Sequence, residues 1–196
     1  MSVYQLAPSP TLATGENSFA TWEDGFSDEQ ITRIREIGDA LPLSSSVIDE
    51  GLTNDKVRTS ETGWIELTPD TAFIYDALAY IARQLNGQFF DFDLFGFVEH
   101  LQYTVYRDKG DHYDWHLDRG NANMAPRKLS LSLQLSDPSE YEGGDLEIFT
   151  ATQPLKMEKK KGLLVAFPSF TLHRVTPVTS GVRRSLVVWL SGPKFR

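Results

Sequence analysis

Cysteine is absent from all 196 residues. Disulfides, zinc–thiolate centres and thiol nucleophiles are therefore excluded, and the redox compartment leaves no mark on the sequence. Basic residues are in deficit, 19 Lys and Arg against 27 Asp and Glu, which gives a formal charge of −8. A general nucleic-acid or anionic-membrane binder needs a basic surface, so that class is disfavoured, while a local basic groove is still permitted. No apolar run reaches the length of a membrane span, and Met1 to Gly15 has neither the basic start nor the apolar core of a signal peptide. The expectation is a cytoplasmic protein with no membrane partner. Internal repeats are also missing.

What is present fits one domain. With 40% apolar residues the chain can build a real core, expected over 19–196, with 1–18 a tail or edge segment rich in Pro and Gly. Ser27 followed at three by Gln30 is a capping box, and Ile31, Ile34, Ile37 and Leu41 then form a helical stripe. Thr68-Pro69-Asp70 reads as cap, first-turn proline and acidic first turn. Phe73, Ala77, Leu78, Ile81 and Leu85 carry that second helix to a C-cap at Asn86-Gly87. Between the helices, Leu43 to Leu67 is polar and reads as a long loop, expected to act as a lid over Ser44 to Thr62. Strands follow at Phe95–Val98, Leu101–Arg107, His112–Leu117, Leu129–Ser136, Leu146–Phe149, Leu163–Phe167, Thr171–Val175 and Ser185–Ser191. Two helices and then about eight short strands predict a mainly β fold, a jelly-roll or cupin-like double-stranded β-helix with N-terminal buttressing helices.

Chemistry concentrates between Tyr103 and Asp118, where two His-x-Asp spacings occur, His112 with Asp114 and His116 with Asp118. Strand residues two apart share a face, roughly 6–7 Å apart, so a His and an Asp at that spacing can lean toward one ion. A second histidine would complete a 2-His-1-carboxylate triad, the donor set of non-haem Fe(II) oxygenases. All four residues share one parity, yet His112 and His116 would stand about 13 Å apart on a regular strand, too far to serve one ion unless the strand bulges. His116 and Asp118 are favoured because they close the strand before the turn residues Gly120, Asn121 and Asn123. His112 and Asp114 are then left to support or solvent.

The second histidine comes from Phe167 to Gly192, which holds His173 and, ten positions later, Arg183. A hairpin symmetric about Val178 would set His173 opposite Arg183, with Cβ atoms about 5 Å apart, and turn Arg184 away. A cation beside a metal ligand suits an anionic co-substrate that chelates the metal at one end and offers a carboxylate to the planar guanidinium at the other.

With these residues in view, the chain resembles the 2-oxoglutarate and Fe(II)-dependent oxygenases of the prolyl 4-hydroxylase-like group, over roughly Phe26 to Pro193. The likeness rests on ordered pieces: Tyr106 ten residues before His116, the Tyr113-Asp114-Trp115-His116-Leu117-Asp118 run, Glu142-Gly143-Gly144-Asp145, and His173 followed at ten by Arg183. The resemblance implies that His116, Asp118 and His173 bind iron and that Arg183 holds the C5 carboxylate of 2-oxoglutarate. It also implies that Tyr106 hydrogen-bonds this co-substrate, and that Ser185 completes an Arg-x-Ser of related oxygenases. The implied reaction uses O₂ to hydroxylate an unactivated C–H bond, with succinate and CO₂ as co-products, ascorbate as reductant and a peptidyl proline as substrate. Fold and cofactor do not fix the substrate, so a free amino acid, a nucleic acid or another metabolite is the alternative. A non-catalytic cupin-like binding module would need no triad. A zinc hydrolase would leave Arg183 with no chelating co-substrate to hold.

Other conspicuous residues read as structural. Phe89, Phe90, Phe92, Phe95 and Phe97 are expected in the core, His100 on a strand as a core or edge histidine, and Lys156 with Lys159 to Lys161 at a solvated hairpin tip. Gly143-Gly144 is read as a turn or a close backbone approach. Arg58, Trp64, Trp115, Glu142 and the loop from Arg119 to Lys128 are placed near the entrance without assigned roles.

Overall fold

The computed structural model describes residues 17–46, 57–121 and 124–194. Helix α1, Asp28–Asp39, begins as the sequence requires: the Ser27 hydroxyl accepts from the Gln30 amide, and the Gln30 side chain accepts from the Ser27 amide at 2.9 Å. Helix α2, Ala72–Leu85, starts later than expected, at Thr71 and not Thr68, because Thr68 to Thr71 close a turn of their own, with the Thr71 amide donating to the Thr68 carbonyl at 3.1 Å. Its end also differs. A π-helical turn over Asn86–Phe90 continues past Gly87 to Asp91, which takes the left-handed conformation. The Asn86 side chain bonds both the amide (3.0 Å) and the carbonyl (2.9 Å) of Phe92, so the asparagine, not Gly87, closes the helix.

Among the described residues, fourteen strands form two facing sheets. The larger contains β1 (Ala20–Trp22), β2 (Ser44–Ser45), β4 (Glu61–Ile65), β6 (Leu101–Arg107), β8 (Arg127–Gln134), β12 (Leu164–Pro168) and β14 (Val178–Ser191), in the order β1-β12-β8-β14-β6-β4-β2. Two short strands, β5 (Gly96–Phe97) and β9 (Tyr141–Gly143), add onto β14. The smaller sheet runs β11 (Pro154–Lys156), β10 (Leu146–Phe149), β13 (His173–Val175), β7 (His112–His116), β3 (Arg58–Thr59). The pairings between these strands are antiparallel. This is the expected double-stranded β-helix.

The strand pattern explains why this barrel has a chemical interior. Strand β8 is buried along its whole length, yet it alternates: Leu129, Leu131 and Leu133 join the apolar cluster shared with both helices, which leaves Ser130, Ser132 and Gln134 for the other face. Strand β6 does the same with Leu101, Tyr103 and Val105 against Gln102, Thr104 and Tyr106, and β14 with Leu186 and Val188 against Arg183, Ser185 and Val187. A polar face that is nevertheless buried must be lining something. A second apolar cluster, including Ile148, Leu163, Val165, Phe167 and Val178, fills the space between the sheets around it.

Several expectations are corrected. The hairpin pairing His173 with Arg183 does not exist: β13 pairs with β10 and β7, whereas β14 pairs with β9, β6, β8 and β5. Between them the chain changes sheet at Thr176-Pro177, where the Thr176 amide donates to the Asp145 carbonyl and the Val178 amide to the Asp111 carbonyl. Gly143 makes this crossing possible. It has φ +69°, and a Cβ there would lie 2.1 Å from the Pro177 carbonyl oxygen.

The polar stretch from Leu43 to Leu67 is not a loop at its described ends but carries β2, β3 and β4. Its serines and threonines satisfy one another, as where the Ser46 hydroxyl bonds the Ser60 carbonyl at 2.9 Å. Residues 47–56 of the expected lid lie outside the described residues, as do 1–16 of the expected tail. His100 is exposed and precedes β6 instead of lying on a strand. Phe95 is 66% exposed, while Phe89, Phe90, Phe92 and Phe97 pack on the core. The lysine run is a set of ion pairs and not a free tip: Lys156 and Lys159 hold Asp145 at 2.8 and 3.1 Å, Lys160 pairs with Glu23, and Lys161 meets Asp28 at 2.6 Å.

Candidate metal centre and co-substrate cavity

His173 on β13 is the direct cross-strand partner of His116 on β7, so the two imidazoles share one face and their ring centroids lie 4.1 Å apart. The register slips between this pair and the next, Val175 with Tyr113. That bulge re-aims the strand: Tyr113 and His116 both face the cavity and stack with centroids 3.4 Å apart. His112 falls out of line, its Nδ1 resting against the Thr59 hydroxyl (3.1 Å) and the Gly110 carbonyl (3.0 Å). The single parity assumed for residues 112 to 118 is thus broken by the bulge. Asp114 is exposed. Asp118 follows the strand's end and is 5% exposed.

Donor atoms of His116, Asp118 and His173 all lie within 4.8 Å of one another. The Asp118 carboxylate oxygens stand 3.7 Å from His116 Nε2 and 3.6 Å from His173 Nε2, beyond hydrogen-bond distance, and Asp118 Oδ2 is buried with no hydrogen-bond partner. His116 Nδ1 faces the Asp114 carbonyl at 2.7 Å, and His173 Nδ1 the Thr171 carbonyl at 2.9 Å. A carbonyl only accepts, so each Nδ1 carries the proton and each Nε2 presents a lone pair to the cluster. Burial, reinforced by His173, pushes the His116 pKa down to about 3. Burial opposes the ionisation of Asp118, but His173 and His116 hold its carboxyl below the usual carboxylate range. Three donors that converge without satisfying one another are a set that could hold a metal ion.

The cavity beside them, open to solvent, spans ≈ 410 Å³. From the opposite sheet it receives Arg183, 2% exposed, whose Nη1 donates to the Ser185 hydroxyl at 3.2 Å and whose Nε has no hydrogen-bond partner. Tyr106, the cross-strand partner of Arg183 on β6, places its ring 5.3 Å from that guanidinium. No carboxylate pairs with Arg183 among the described residues. Arg58 is a second buried cation on the wall, stacked 4.5 Å over Tyr113 and donating to Ser60 Oγ (2.9 Å) and Gln102 Oε1 (3.1 Å). The structure therefore gathers His116, Asp118, His173, Tyr106, Arg183 and Ser185 around one space.

Sequence reading passed over the support behind Asp118. Arg127 donates to the Asp118 carbonyl at 3.0 Å, meets Glu99 at 2.7 and 2.5 Å, and lies 3.7 Å over the Trp189 ring. Trp189 shares the inward parity of Arg183 and Ser185, a signal that was available. Nothing local in the sequence joins Arg127 to Glu99.

Fold and site together define a double-stranded β-helix with a candidate mononuclear metal centre and a buried arginine in the same cavity. Residues 101–191 match the family described as the 2OG-Fe(II) oxygenase superfamily. A PKHD-type hydroxylase of Prochlorococcus marinus is 44% identical over 82 residues, covering 42% of this chain and 37% of that protein. One of Hyphomonas neptunium is 42% identical over 87 residues, covering 42% and 38%. The chain thus spans well under half the length of these curated relatives. Among solved structures, a Pseudomonas putida prolyl-4-hydroxylase shares the fold with a TM-score of 0.71 and 22% identity, covering 90% of this chain and 94% of that one. A Trichoplax adhaerens prolyl hydroxylase, in complex with a hypoxia inducible factor oxygen degradation domain peptide fragment, gives 0.75 and 16%, covering 89% and 84%. No helix among the described residues is long and apolar enough to cross a membrane.

Proposed function

We propose that this chain is an Fe(II)- and 2-oxoglutarate-dependent dioxygenase that hydroxylates a peptidyl proline. One observation carries the reading: a single cavity holds a His116–Asp118–His173 cluster with unspent donor atoms and, on the facing sheet, a buried guanidinium that no carboxylate among the described residues neutralises. The donor set fits the ion, since two imidazoles fixed as Nε2 donors and one carboxylate are the facial ligands of non-haem iron. Bound iron, with 2-oxoglutarate and O₂, would supply the oxidising power that converts C–H to C–OH, the keto acid leaving as succinate and CO₂.

The protein's own share is placement. The Asp114 and Thr171 carbonyls hold the two rings in one tautomer. Arg183 offers its planar fork to the distal carboxylate of the co-substrate, with Ser185 fixing one of its nitrogens and the Tyr106 hydroxyl supplying a further hydrogen bond. Leu146, Phe167, Val175 and Val187 make part of the wall apolar, which limits the water that competes for these contacts.

A peptide substrate is supported by the Trichoplax neighbour, which holds one, and by exposed apolar side chains beside the histidines, Leu117, Phe170 and Leu172. The test is incubation with Fe(II), 2-oxoglutarate, O₂ and ascorbate over a set of proline peptides, read by succinate release and mass spectrometry. One added oxygen on proline, dependent on iron, is the expected result. Oxidation of free amino acids or nucleic acid but of no peptide would overturn the substrate, and an absence of any 2-oxoglutarate consumption would overturn the enzyme class.

A further inference from the structure

The space around Arg183 does not end at its guanidinium. A second recess of ≈ 280 Å³ lies on its far side, sharing Ser132, Leu146 and Arg183 with the first and walled by Gln134, Tyr141 and Lys159. Tyr141 opens β9, is 5% exposed, and is the cross-strand partner of Gly181 on β14. Its hydroxyl accepts a hydrogen bond from Gln134 Nε2 at 2.7 Å and sits beside Arg183: burial raises the phenol's pKa, and the charge and hydrogen bonding of the guanidinium oppose that rise. Lys159 lies 4.6 Å over the Tyr141 ring and is tied down by Asp145 at 3.1 Å, so the ring is held on both sides. Next to it, Gly144 leaves room for the arginine stem, since a Cβ there would come within 3.0 Å of Arg183 Cδ.

We infer that Tyr141 is the positioning residue of Arg183, aiming its guanidinium from behind at the distal carboxylate of the co-substrate. The argument is electrostatic. Ser185 is a neutral oxygen acceptor to Arg183, and the Tyr141 ring is a close neighbour of the arginine stem, stem and ring meeting a Cβ built on Gly144 at 3.0 and 3.2 Å; neutral groups orient a cation without cancelling its charge, whereas a carboxylate in the same place would neutralise the clamp before an anion arrived. A hydrogen bond to Ser185 and a packed ring beside the stem also reduce the ordering cost that binding would otherwise incur for a long, rotamer-rich side chain. This inference rests on the 2-oxoglutarate reading and adds to it a residue from the Glu142-Gly143 neighbourhood, where the sequence showed only a turn.

The test uses Tyr141→Phe, which keeps the ring under Lys159 and deletes only the hydroxyl. Calorimetric titrations of the metal-loaded protein, without oxygen, would measure 2-oxoglutarate and also glutarate, which carries the carboxylates but has no keto acid to chelate. The expected result is a roughly three- to tenfold weaker affinity for both compounds, as for one lost indirect hydrogen bond, with Fe(II) affinity unchanged and the thermal midpoint lowered by the lost Gln134 contact equally in the unaltered and Arg183→Gln backgrounds. In an Arg183→Gln background the same substitution should cost no further affinity, because Tyr141 acts through Arg183. Wild-type affinity in Tyr141→Phe, or an equal loss of affinity in both backgrounds, would overturn the positioning role while leaving the co-substrate reading intact. Failure of the unaltered protein to bind 2-oxoglutarate would overturn that reading first, and this inference with it.

Discussion

At the scale of single residues, the bulge in β7 decides which histidine can serve the cluster. His116 faces His173 across the strand pair, while His112 is turned to Thr59 and Gly110. His116→Ala or Asp118→Ala is therefore expected to abolish iron-dependent consumption of 2-oxoglutarate, and His112→Ala to leave it measurable. Loss of metal binding in His112→Ala with retention in His116→Ala would reverse the assignment. The two adjacent arginines of β14 make a second contrast. Arg183 points into the cavity, whereas Arg184 points to α1, where its Nε meets Asp39 at 2.9 Å. A charge-assisted hydrogen bond contributes about 1.5–3 kcal/mol, so Arg183→Gln should weaken 2-oxoglutarate about ten- to a hundredfold. Arg184→Ala should leave that affinity unchanged and cost at most about 1 kcal/mol of stability. Competitive titrations of both variants, beside their melting curves, check the pair.

At the scale of elements, the crossing from β13 to β14 carries the design, because it sets His173 and Arg183 on opposite sheets around one cavity. Gly143 is the tightest point of that crossing. Gly143→Ala combines a left-handed backbone with a Cβ 2.1 Å from the Pro177 carbonyl, and a loss of at least ~2 kcal/mol in urea unfolding is expected; a loss below about 0.5 kcal/mol would show that the crossing relaxes freely. Asp145, just beyond, ties β10 to the lysine run. Burial alone would raise its pKa, but hydrogen bonds and charge from Lys156 and Lys159 hold the carboxyl below its usual range. A carboxyl depressed in the fold contributes stability above its unfolded pKa of ~3.9 and loses it as pH falls through the folded value. The melting advantage of the unaltered protein over Asp145→Asn should thus be full at pH 6 and shrink below about pH 4. An advantage that grew on acidification would contradict the sign.

For the molecule as a whole, what the sequence disclosed tracks how local each signal was. Capping at Ser27, the β6 and β10 boundaries and the alternation of β8 depend on neighbours within a few positions, and they were legible. Ligand candidates were legible too, because His116 and Asp118 are two residues apart and His173 stands in an obvious strand. Partnerships across the sheets were not. The hairpin about Val178 failed because Pro177 sits at a change of sheet, which only the pairing of β13 with β7 reveals. The Arg127–Glu99 ion pair, and the shared recess of Tyr141 and Arg183, are partnerships that no spacing announces. Polar β2, β3 and β4 were taken for a loop since their serines and threonines hydrogen-bond to one another instead of burying apolar area. The central claim joins the metal cluster to the anion clamp across those sheets. Its most direct test is an anaerobic titration with Fe(II) and then 2-oxoglutarate, followed by the visible charge-transfer absorption of a keto acid chelated to iron. The account predicts that this absorption develops in the unaltered protein, disappears in His173→Ala, and in Arg183→Gln returns only at about tenfold or more higher 2-oxoglutarate. The same absorption at the same concentrations in all three proteins would contradict it.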